Sequence, residues 1–440
     1  MEKLLIISYH FPPDSAIGAV RPAKFAKYLP EFGWRPIIYT VDEKNYQSCD
    51  ASKFEDLLRG VRIYRANPFP GILQLYSGIR SRGTPPATTQ EGNAAKEEAG
   101  LPGFPKRLIS SLLRVPDEHQ GWIFSIAAQG RRILKEQGAG TFMTSGPPMS
   151  THLGGLLLKK MTGACWIADF RDPWTTMQEW KGEAFRSDMA LRIERWLERK
   201  TVSAADGIIT TAPSVTRYFQ SLLPQEERGK VITITNGYDN SDFQGLPQPE
   251  ANPPGMRLTH AGSLYLGRNP EPLFGALRNL IGKGAIAKGE VRVDFIGDPH
   301  YRGAPLSAMV QEYDLAETVS LLGKMDFGDC FKRLLDSRGL LLLAQDQPQE
   351  IPGKVFEYLR LNKPTLVITD EGDTKDLLLD FPNFFLADPQ KPGEIEEKLL
   401  ETIRSMRSEG RTGPHDGITR YDRRALTARL CSWLSSRRSS

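Results

Sequence analysis

The chain has 440 residues, with 57 Lys and Arg against 53 Asp and Glu, which gives a formal net charge of +4. A single hydrophobic core stops growing at about 250–300 residues, so this length favours two domains. A hydrophobic content of 40%, including 20 Phe, excludes a largely disordered chain. The small charge excess gives no reason to expect a nucleic-acid partner.

Neither a membrane span nor an export signal is expected, because no apolar run approaches the ~18 residues that a membrane helix requires. The four cysteines and six histidines are scattered along the chain, without the spacing of a metal site or a compact disulfide framework. We therefore expect a cytoplasmic protein with no cofactor and no protein-held metal.

Short apolar runs alternate with helical patterns from the amino terminus, which predicts a doubly wound α/β domain over residues 1–243. Residues 21–29 form the first predicted helix, which ends at Gly33. The predicted strands of this half are residues 4–8, 36–41, 61–64, 141–144, 165–169, 207–211 and 231–235.

Residues 244–255 are too rich in Pro and Gly to continue an element and predict an interdomain linker. A second α/β domain is expected over residues 256–417, followed by an amphipathic terminal helix within 418–440. The predicted strands of this half are residues 257–261, 291–297, 319–322, 340–344 and 365–368.

Two segments of the first half match neither pattern. Residues 81–100 lack an apolar period and predict a flexible insert. Residues 105–115 predict a basic amphipathic helix, which either faces solvent or contacts a membrane surface.

Ligands of parallel sheets bind beyond the carboxyl ends of the strands, so the loops that follow the strands are the candidate sites. In the first half, Ser15 and Gly18 lie in a loop that leads into a helix, where small residues let the backbone approach a phosphate or sugar. His152 starts another helix and is either structural or part of the cleft. Asp169, Arg171 and Asp172 lie at the end of a strand and predict either an internal Asp–Arg ion pair or a substrate contact.

In the second half, a glycine-containing loop with Gly262, Ser263 and Arg268 suits a diphosphate. The strongest signal is the helix start at Ile351, Pro352, Gly353, Lys354 and Val355, where backbone amides, the helix dipole and the Lys354 ammonium converge on one anion. Glu357, one turn further along, can accept hydrogen bonds from the vicinal hydroxyls of a ribose.

In this order, the motifs resemble the family 4 retaining glycosyltransferases, bacterial surface-polysaccharide type, over nearly the whole chain. They are residues 8–13 with Gly18, residues 169–174, 235–239 and 260–263, and residues 351–359. The resemblance implies a GT-B fold, in which two Rossmann-like domains face a cleft and the final helix crosses back to the first domain.

The resemblance also implies a nucleotide-sugar donor and a glycan or polyprenyl-linked acceptor at the inner face of the cytoplasmic membrane. Arg268 and Lys354 would hold the diphosphate, Glu357 the ribose, and Gly18 would approach the donor. The first of the two family glutamates falls at Gln349, unless Glu350 takes its place by a one-residue shift. A family histidine is also replaced by Arg171.

Two other functions remain open from the sequence. Some nucleotide-sugar epimerases share this fold, although no acid and base pair for epimerisation stands out. A non-catalytic partner subunit is the other alternative, because Gln349 departs from the family pattern.

Overall fold

A computed structural model describes residues 1–50, 60–71, 111–176, 187–244, 255–265, 267–408 and 416–438. The predicted insert 81–100, residues 105–110 of the basic segment and nearly all of the predicted linker lie outside these ranges. The chain divides into two compact units. Unit 1 comprises Met1–Thr211, Val215–Ile234 and Thr427–Ser440, and unit 2 comprises Ala212–Ser214 and Thr235–Leu426.

Unit 1 contains a parallel sheet of seven strands in the order β3-β2-β1-β4-β5-β6-β7. The strands are β1 (Glu2–Ser8), β2 (Trp34–Val41), β3 (Arg62–Ala66), β4 (Thr141–Gly146), β5 (Cys165–Phe170), β6 (Gly207–Thr210) and β7 (Val231–Thr233). The helices in this part of the chain are α1 (Val20–Tyr28), α2 (Gln120–Gln137), α3 (Ser150–Thr162), α4 (Asp188–Ala204) and α5 (Pro213–Ser221).

The central strand of unit 1 is buried on both faces, as expected for a parallel sheet covered by helices. Leu4, Leu5, Ile6 and Ile7 of β1 are fully buried. Ile6 aligns with Ile38 of β2 on one side and, on the other side, with a residue of β4. This continuous apolar run, rather than an alternating one, is why β1 occupies the middle of the sheet.

Unit 2 contains a parallel sheet of six strands in the order β12-β9-β8-β13-β14-β15, and a two-stranded antiparallel pair, β10 and β11. The strands are β8 (Met256–Ala261), β9 (Val291–Ile296), β10 (His300–Tyr301), β11 (Ala304–Pro305), β12 (Val319–Gly323), β13 (Gly339–Ala344), β14 (Thr365–Thr369) and β15 (Phe384–Ala387). The remaining helices are α6 (Glu271–Gly282), α7 (Leu306–Glu312), α8 (Phe327–Asp336), α9 (Lys354–Leu361), α10 (Asp373–Leu378), α11 (Pro392–Arg407) and α12 (Arg423–Arg438).

The strand order reverses between β1 and β4 in unit 1, and between β8 and β13 in unit 2. At such a switch point the loops after the two strands diverge to opposite faces of the sheet and leave a crevice where ligands bind. The predicted fold, two doubly wound parallel α/β domains, is confirmed. The sequence did not predict β10, β11 or β15.

Within the described ranges, no helix combines the length and the apolar character that crossing a bilayer requires.

Candidate functional site

The switch point of unit 2 brings together two segments that the sequence singled out separately. Gly262 follows β8 directly, and α9 begins at Lys354 in the segment after β13. The Lys354 Nζ donates a hydrogen bond to the carbonyl oxygen of Ala261, the last residue of β8, at 2.6 Å. The amide of Ala261 donates to the Tyr358 hydroxyl at 3.2 Å. One turn of α9 therefore fixes the end of β8 through both of its backbone groups.

Two cationic side chains converge on Gly262. A methyl group built on this glycine would lie 2.7 Å from Lys354 Nζ and 3.4 Å from the Nη1 of Arg268. Gly262 also has a φ of +126°, a conformation that L side chains rarely adopt. The backbone conformation therefore requires glycine, and the absence of a side chain leaves room for the two cations to approach the strand end.

Arg268 lies in the loop after β8 and is held in place by local contacts. Its Nη1 donates to the Ser263 carbonyl oxygen at 3.2 Å, and its guanidinium lies 4.2 Å from the centre of the Tyr265 ring. Its Nε is buried and has no hydrogen-bond partner among the described residues. The side chain is thus positioned while part of its donor capacity is unused.

The electrostatics around Lys354 favour an anionic ligand. Burial lowers the pKa of Lys354 well below its usual value, and the nearby Arg268 guanidinium lowers it further. The Glu357 carboxylate opposes this shift, but to a smaller extent. Two cations that destabilise each other in a partly buried place gain strongly from a bound anion, because it removes the repulsion and pairs both charges.

The amino-terminal end of α9 adds unused backbone donors. Gly353 is the N-cap residue, and no side chain caps the helix. The amides of Val355 and Phe356 donate to Pro352 and Gly353, whereas those of Gly353 and Lys354 have no partner among the described residues. The sequence placed Pro352 in the first turn; it precedes the N-cap instead, and the expected amides are still available.

A glutamine that the sequence reasoning missed ties the two loops of this switch point together. The buried Gln345 side chain accepts a hydrogen bond from the Asn269 amide at 3.1 Å and donates one to the Asn269 carbonyl oxygen at 2.7 Å. The Gln345 amide donates to the Gly267 carbonyl oxygen. This pairing positions the loop that carries Arg268. No sequence motif indicated this role of Gln345.

The other predicted donor residues lie on the same two segments. Ile351 and Val355 are buried, so they anchor the start of α9 in the core and are not on its exposed side. Ser263 is exposed, and Gln349, Glu350 and Glu357 are half-buried.

In unit 1, Arg171 connects the loops after β1, β4 and β5. Its side chain donates to the carbonyl oxygens of Gly18, Gly146 and Pro147, with 3.1 Å between Nε and the Gly146 oxygen. A methyl group on Gly18 would collide with this guanidinium. The glycine that the sequence assigned to donor approach is therefore needed to admit Arg171, and Arg171 serves as a brace of the switch point.

The buried ion pair of unit 1 has a different cationic partner from the one expected. Arg21 and Asp169 pair at 2.9 Å in the interior, and Ser145 donates to the same carboxylate at 2.8 Å. Asp172, next to Arg171, is half-buried. An internal Asp–Arg pair was one of the two interpretations of this motif. The pair is present, but its arginine is Arg21 of α1.

His152 lies in the interior of unit 1. Its Nδ1 is 3.0 Å from the Thr144 hydroxyl, and its ring packs on Phe170. Burial lowers the pKa of His152 to about 3, so the imidazole is neutral at physiological pH. Its assignment to the acceptor site stays a prediction, and any such role would be exerted through the β4 loop that it supports.

Three polar contacts organise the loop after β1, where Ser15 lies. Ser15 is exposed, and its amide donates to the Ser48 carbonyl oxygen at 3.1 Å. The Asp14 carboxylate accepts the Ala16 amide at 3.0 Å and lies 2.7 Å from the Nδ1 of His10. The sequence reasoning missed this His10–Asp14 pair, which the four-residue spacing of the two residues could have indicated.

No group of three or more His, Cys, Asp or Glu side chains able to hold a metal ion occurs within the described ranges.

Several solved structures share this architecture along their whole length. A sucrose-phosphate synthase from Thermosynechococcus elongatus aligns with a TM-score of 0.66 and 14% identity, covering 99% of both chains. Anabaena HepE, solved with UDP and glucose, aligns with a TM-score of 0.59 and 13% identity over 99% of this chain and all of that one. The chain has the GT-B fold.

A UDP-GlcNAc 2-epimerase from Methanocaldococcus jannaschii is also similar, with a TM-score of 0.52 and 10% identity over 99% of this chain and 100% of that one. The sequence matches no family model and no curated protein. Identities this low establish the fold alone, and this fold hosts more than one reaction.

Proposed function

We propose that the protein is a glycosyltransferase that moves a sugar from a nucleotide-sugar donor to a glycan or polyprenyl-linked acceptor. The supporting observation is the convergence of Lys354 and Arg268 on Gly262 at the switch point of unit 2. A diphosphate is the ligand that matches two cations and two unpaired amides at a helix start. HepE, which shares the fold, was solved with UDP and glucose.

In the proposed reaction, an acceptor hydroxyl forms a bond to the anomeric carbon of the sugar while the bond between the sugar and the nucleoside diphosphate breaks. Negative charge develops on the leaving diphosphate, which takes up the proton of the hydroxyl. Lys354, Arg268 and the amides of Gly353 and Lys354 stabilise that charge, which is the largest electrostatic demand of the step. Glu357 binds the ribose hydroxyls from the first turn of α9, and Gln349 or Glu350 contacts the donor sugar.

For the acceptor we propose a role for the loops at the switch point of unit 1, braced by Arg171. Ser15 and Asp172 lie on these loops and are the side chains we assign to acceptor contact, with Arg171 and His152 in support. Gly18 approaches the donor. Retention of the anomeric configuration and a role in surface-polysaccharide synthesis, at the inner face of the cytoplasmic membrane, follow from the family 4 resemblance of the motifs.

The test is turnover of UDP-, GDP- and ADP-sugars with and without oligosaccharide or polyprenyl-phosphate acceptors, measured as release of nucleoside diphosphate, with the product identified by NMR. Transfer with retained anomeric configuration supports the proposal. An epimerised nucleotide sugar supports the epimerase alternative, and nucleotide binding without any turnover supports a non-catalytic partner.

The matched variants are Lys354→Ala and Lys332→Ala, since Lys332 is an exposed lysine on α8 of the same unit. Only Lys354→Ala is expected to lower turnover. If Lys354→Ala retained full transfer activity and donor affinity, the assignment of this site would be wrong.

A further inference from the structure

Helix α4 (Asp188–Ala204) presents an unusual face to solvent. Trp196 is 58% exposed and Met189 is 54% exposed. The cationic residues Arg192, Arg195, Arg199 and Lys200 are exposed on the same side of the helix. We call these six residues the α4 face. Their spacing of three, four and seven residues places them within about 140° of the helix circumference.

The opposite side of α4 carries two of the three acidic residues of the helix. Glu194 and Glu198 are buried, together with Ala190 and Thr201. Glu198 accepts hydrogen bonds from the Thr175 hydroxyl and the Tyr218 hydroxyl, each at 2.7 Å. Both glutamates thus lie inside unit 1 and add no charge to the outer side, which carries four cations.

One acid, Asp188, is exposed on the outer side of α4. It lies in the first turn, where the helix dipole favours a carboxylate. The rest of the α4 face therefore keeps an excess of positive charge.

The apolar residues sit among the cations. On the helix circumference, Trp196 and Met189 lie between the arginines on one side and Lys200 on the other. The Lys200 ammonium lies 6.0 Å from the Trp196 ring centre. The apolar surface of the tryptophan and the methionine, placed at the centre of this charged side, would gain from leaving water.

The surface next to the start of α4 is also connected to the basic segment that the sequence singled out. The Ser187 amide, at the N-cap of α4, donates to the Ser111 hydroxyl at 2.8 Å. Ser111 belongs to the described end of the segment 105–115. The structure therefore joins the described part of that segment to the amino-terminal end of α4.

We propose that the α4 face binds the surface of an anionic phospholipid bilayer. Trp196 and Met189 enter the interfacial region, where tryptophan is favoured, while the flanking cations pair with lipid phosphates. Charge complementarity selects this partner, because the face is cationic while the chain as a whole carries only +4. The proposal does not depend on the enzymatic activity.

The experiment is cosedimentation of the full chain with phosphatidylcholine vesicles, with and without phosphatidylglycerol. Wild-type protein is expected to bind only the vesicles that contain phosphatidylglycerol. The variant Arg192→Glu/Arg199→Glu is expected to weaken that binding by roughly tenfold or more. The matched control Arg292→Glu/Lys332→Glu changes net charge equally at exposed positions of unit 2 and is expected to bind as wild type.

A second variant, Trp196→Ser, separates apolar insertion from charge attraction. It is expected to lower the vesicle binding that persists at high salt, because salt screens the arginines but not the apolar contact. All three variants alter exposed side chains, and their circular dichroism and thermal unfolding are measured in parallel. If the double glutamate variant does not fold, Arg192→Gln/Arg199→Gln replaces it.

Three results would overturn the proposal. The first is wild-type protein that does not bind anionic vesicles or binds neutral ones equally well. The second is an equal loss of binding in the control variant. The third is a different occupant of the face: self-association, or binding of a single-stranded oligonucleotide, that Arg192→Glu/Arg199→Glu abolishes while vesicle binding is unchanged.

Discussion

Replacing Lys354 by Met removes the charge at the proposed diphosphate site and keeps most of the side-chain volume. A hydrogen bond to a charged group contributes about 1.5–3 kcal/mol, so we expect the affinity for a nucleoside diphosphate to fall roughly ten- to hundredfold. The stability of the ligand-free protein should change little. Loss of the Lys354–Ala261 hydrogen bond costs about 1 kcal/mol, and removal of a desolvated cation beside Arg268 offsets it.

Lys363 provides the matched control, because it is also a largely buried lysine of unit 2. Its ammonium donates to the carbonyl oxygens of Leu334, Leu335 and Ser337 at the end of α8. Lys363→Met leaves these oxygens without that donor, so we expect a loss of about 2–4 kcal/mol of unfolding free energy and no change in the intrinsic affinity for the diphosphate.

Isothermal titration with UDP, GDP and ADP, together with urea unfolding of the ligand-free proteins, measures both quantities. We expect opposite results for the two variants: Lys354→Met loses nucleotide affinity, and Lys363→Met loses unfolding free energy. If Lys354→Met lost stability and bound the nucleotides as wild type does, Lys354 would be a structural brace of β8 and the proposed site would be refuted.

Three further predictions concern pH and packing. A bound diphosphate raises the depressed pKa of Lys354, so the contribution of Lys354 to affinity is complete below its pKa in the free protein and is lost as pH rises toward its pKa in the complex. Titrations above pH 7 should show nucleotide affinity falling with pH in the wild type and falling less in Lys354→Met. Equal slopes in the two proteins would contradict this. Gly18→Ala should cost about 1–3 kcal/mol of unfolding free energy because the added methyl collides with Arg171, and wild-type stability in urea would be inconsistent with that contact. Asp169→Asn leaves Arg21 charged and without its carboxylate, so we expect a loss of about 3–5 kcal/mol, and a thermal unfolding midpoint within a degree of wild type would disprove the buried pair.

The parallel sheets could be predicted because their strands are continuous apolar runs. Residues 340–344 were expected as a strand, and the structure has β13 at Gly339–Ala344. The strand β15 was missed: it has only four residues, Phe384–Ala387, and two of them are half-buried. Such a short strand at the edge of a sheet has no periodicity from which to predict it.

The candidate donor site could be assembled from the sequence because its residues follow strands directly. Lys354 and Arg268 were both assigned to one diphosphate, and the structure brings them together at Gly262. Gln345 was missed, since its partners are backbone groups of another loop and leave no motif.

Unit 1 shows where reasoning from local sequence reaches its limit. The acids and the arginine of residues 169–172 were considered together because they are adjacent. In the fold, Asp169 pairs with Arg21 on α1, and Arg171 donates to the carbonyl oxygens of Gly18, Gly146 and Pro147. Partners distant in sequence decide what a buried charge does, and they become visible only when the strands are placed side by side.

The measurement that tests the central claim most directly is a comparison of uridine, UMP and UDP binding to the wild-type protein by isothermal titration, repeated with the guanosine and adenosine series. If Lys354, Arg268 and the start of α9 form a diphosphate site, the diphosphate of at least one base should bind at least about tenfold more tightly than its nucleoside and its monophosphate. Equal affinity of nucleoside and diphosphate, or no binding in any series, would contradict the account.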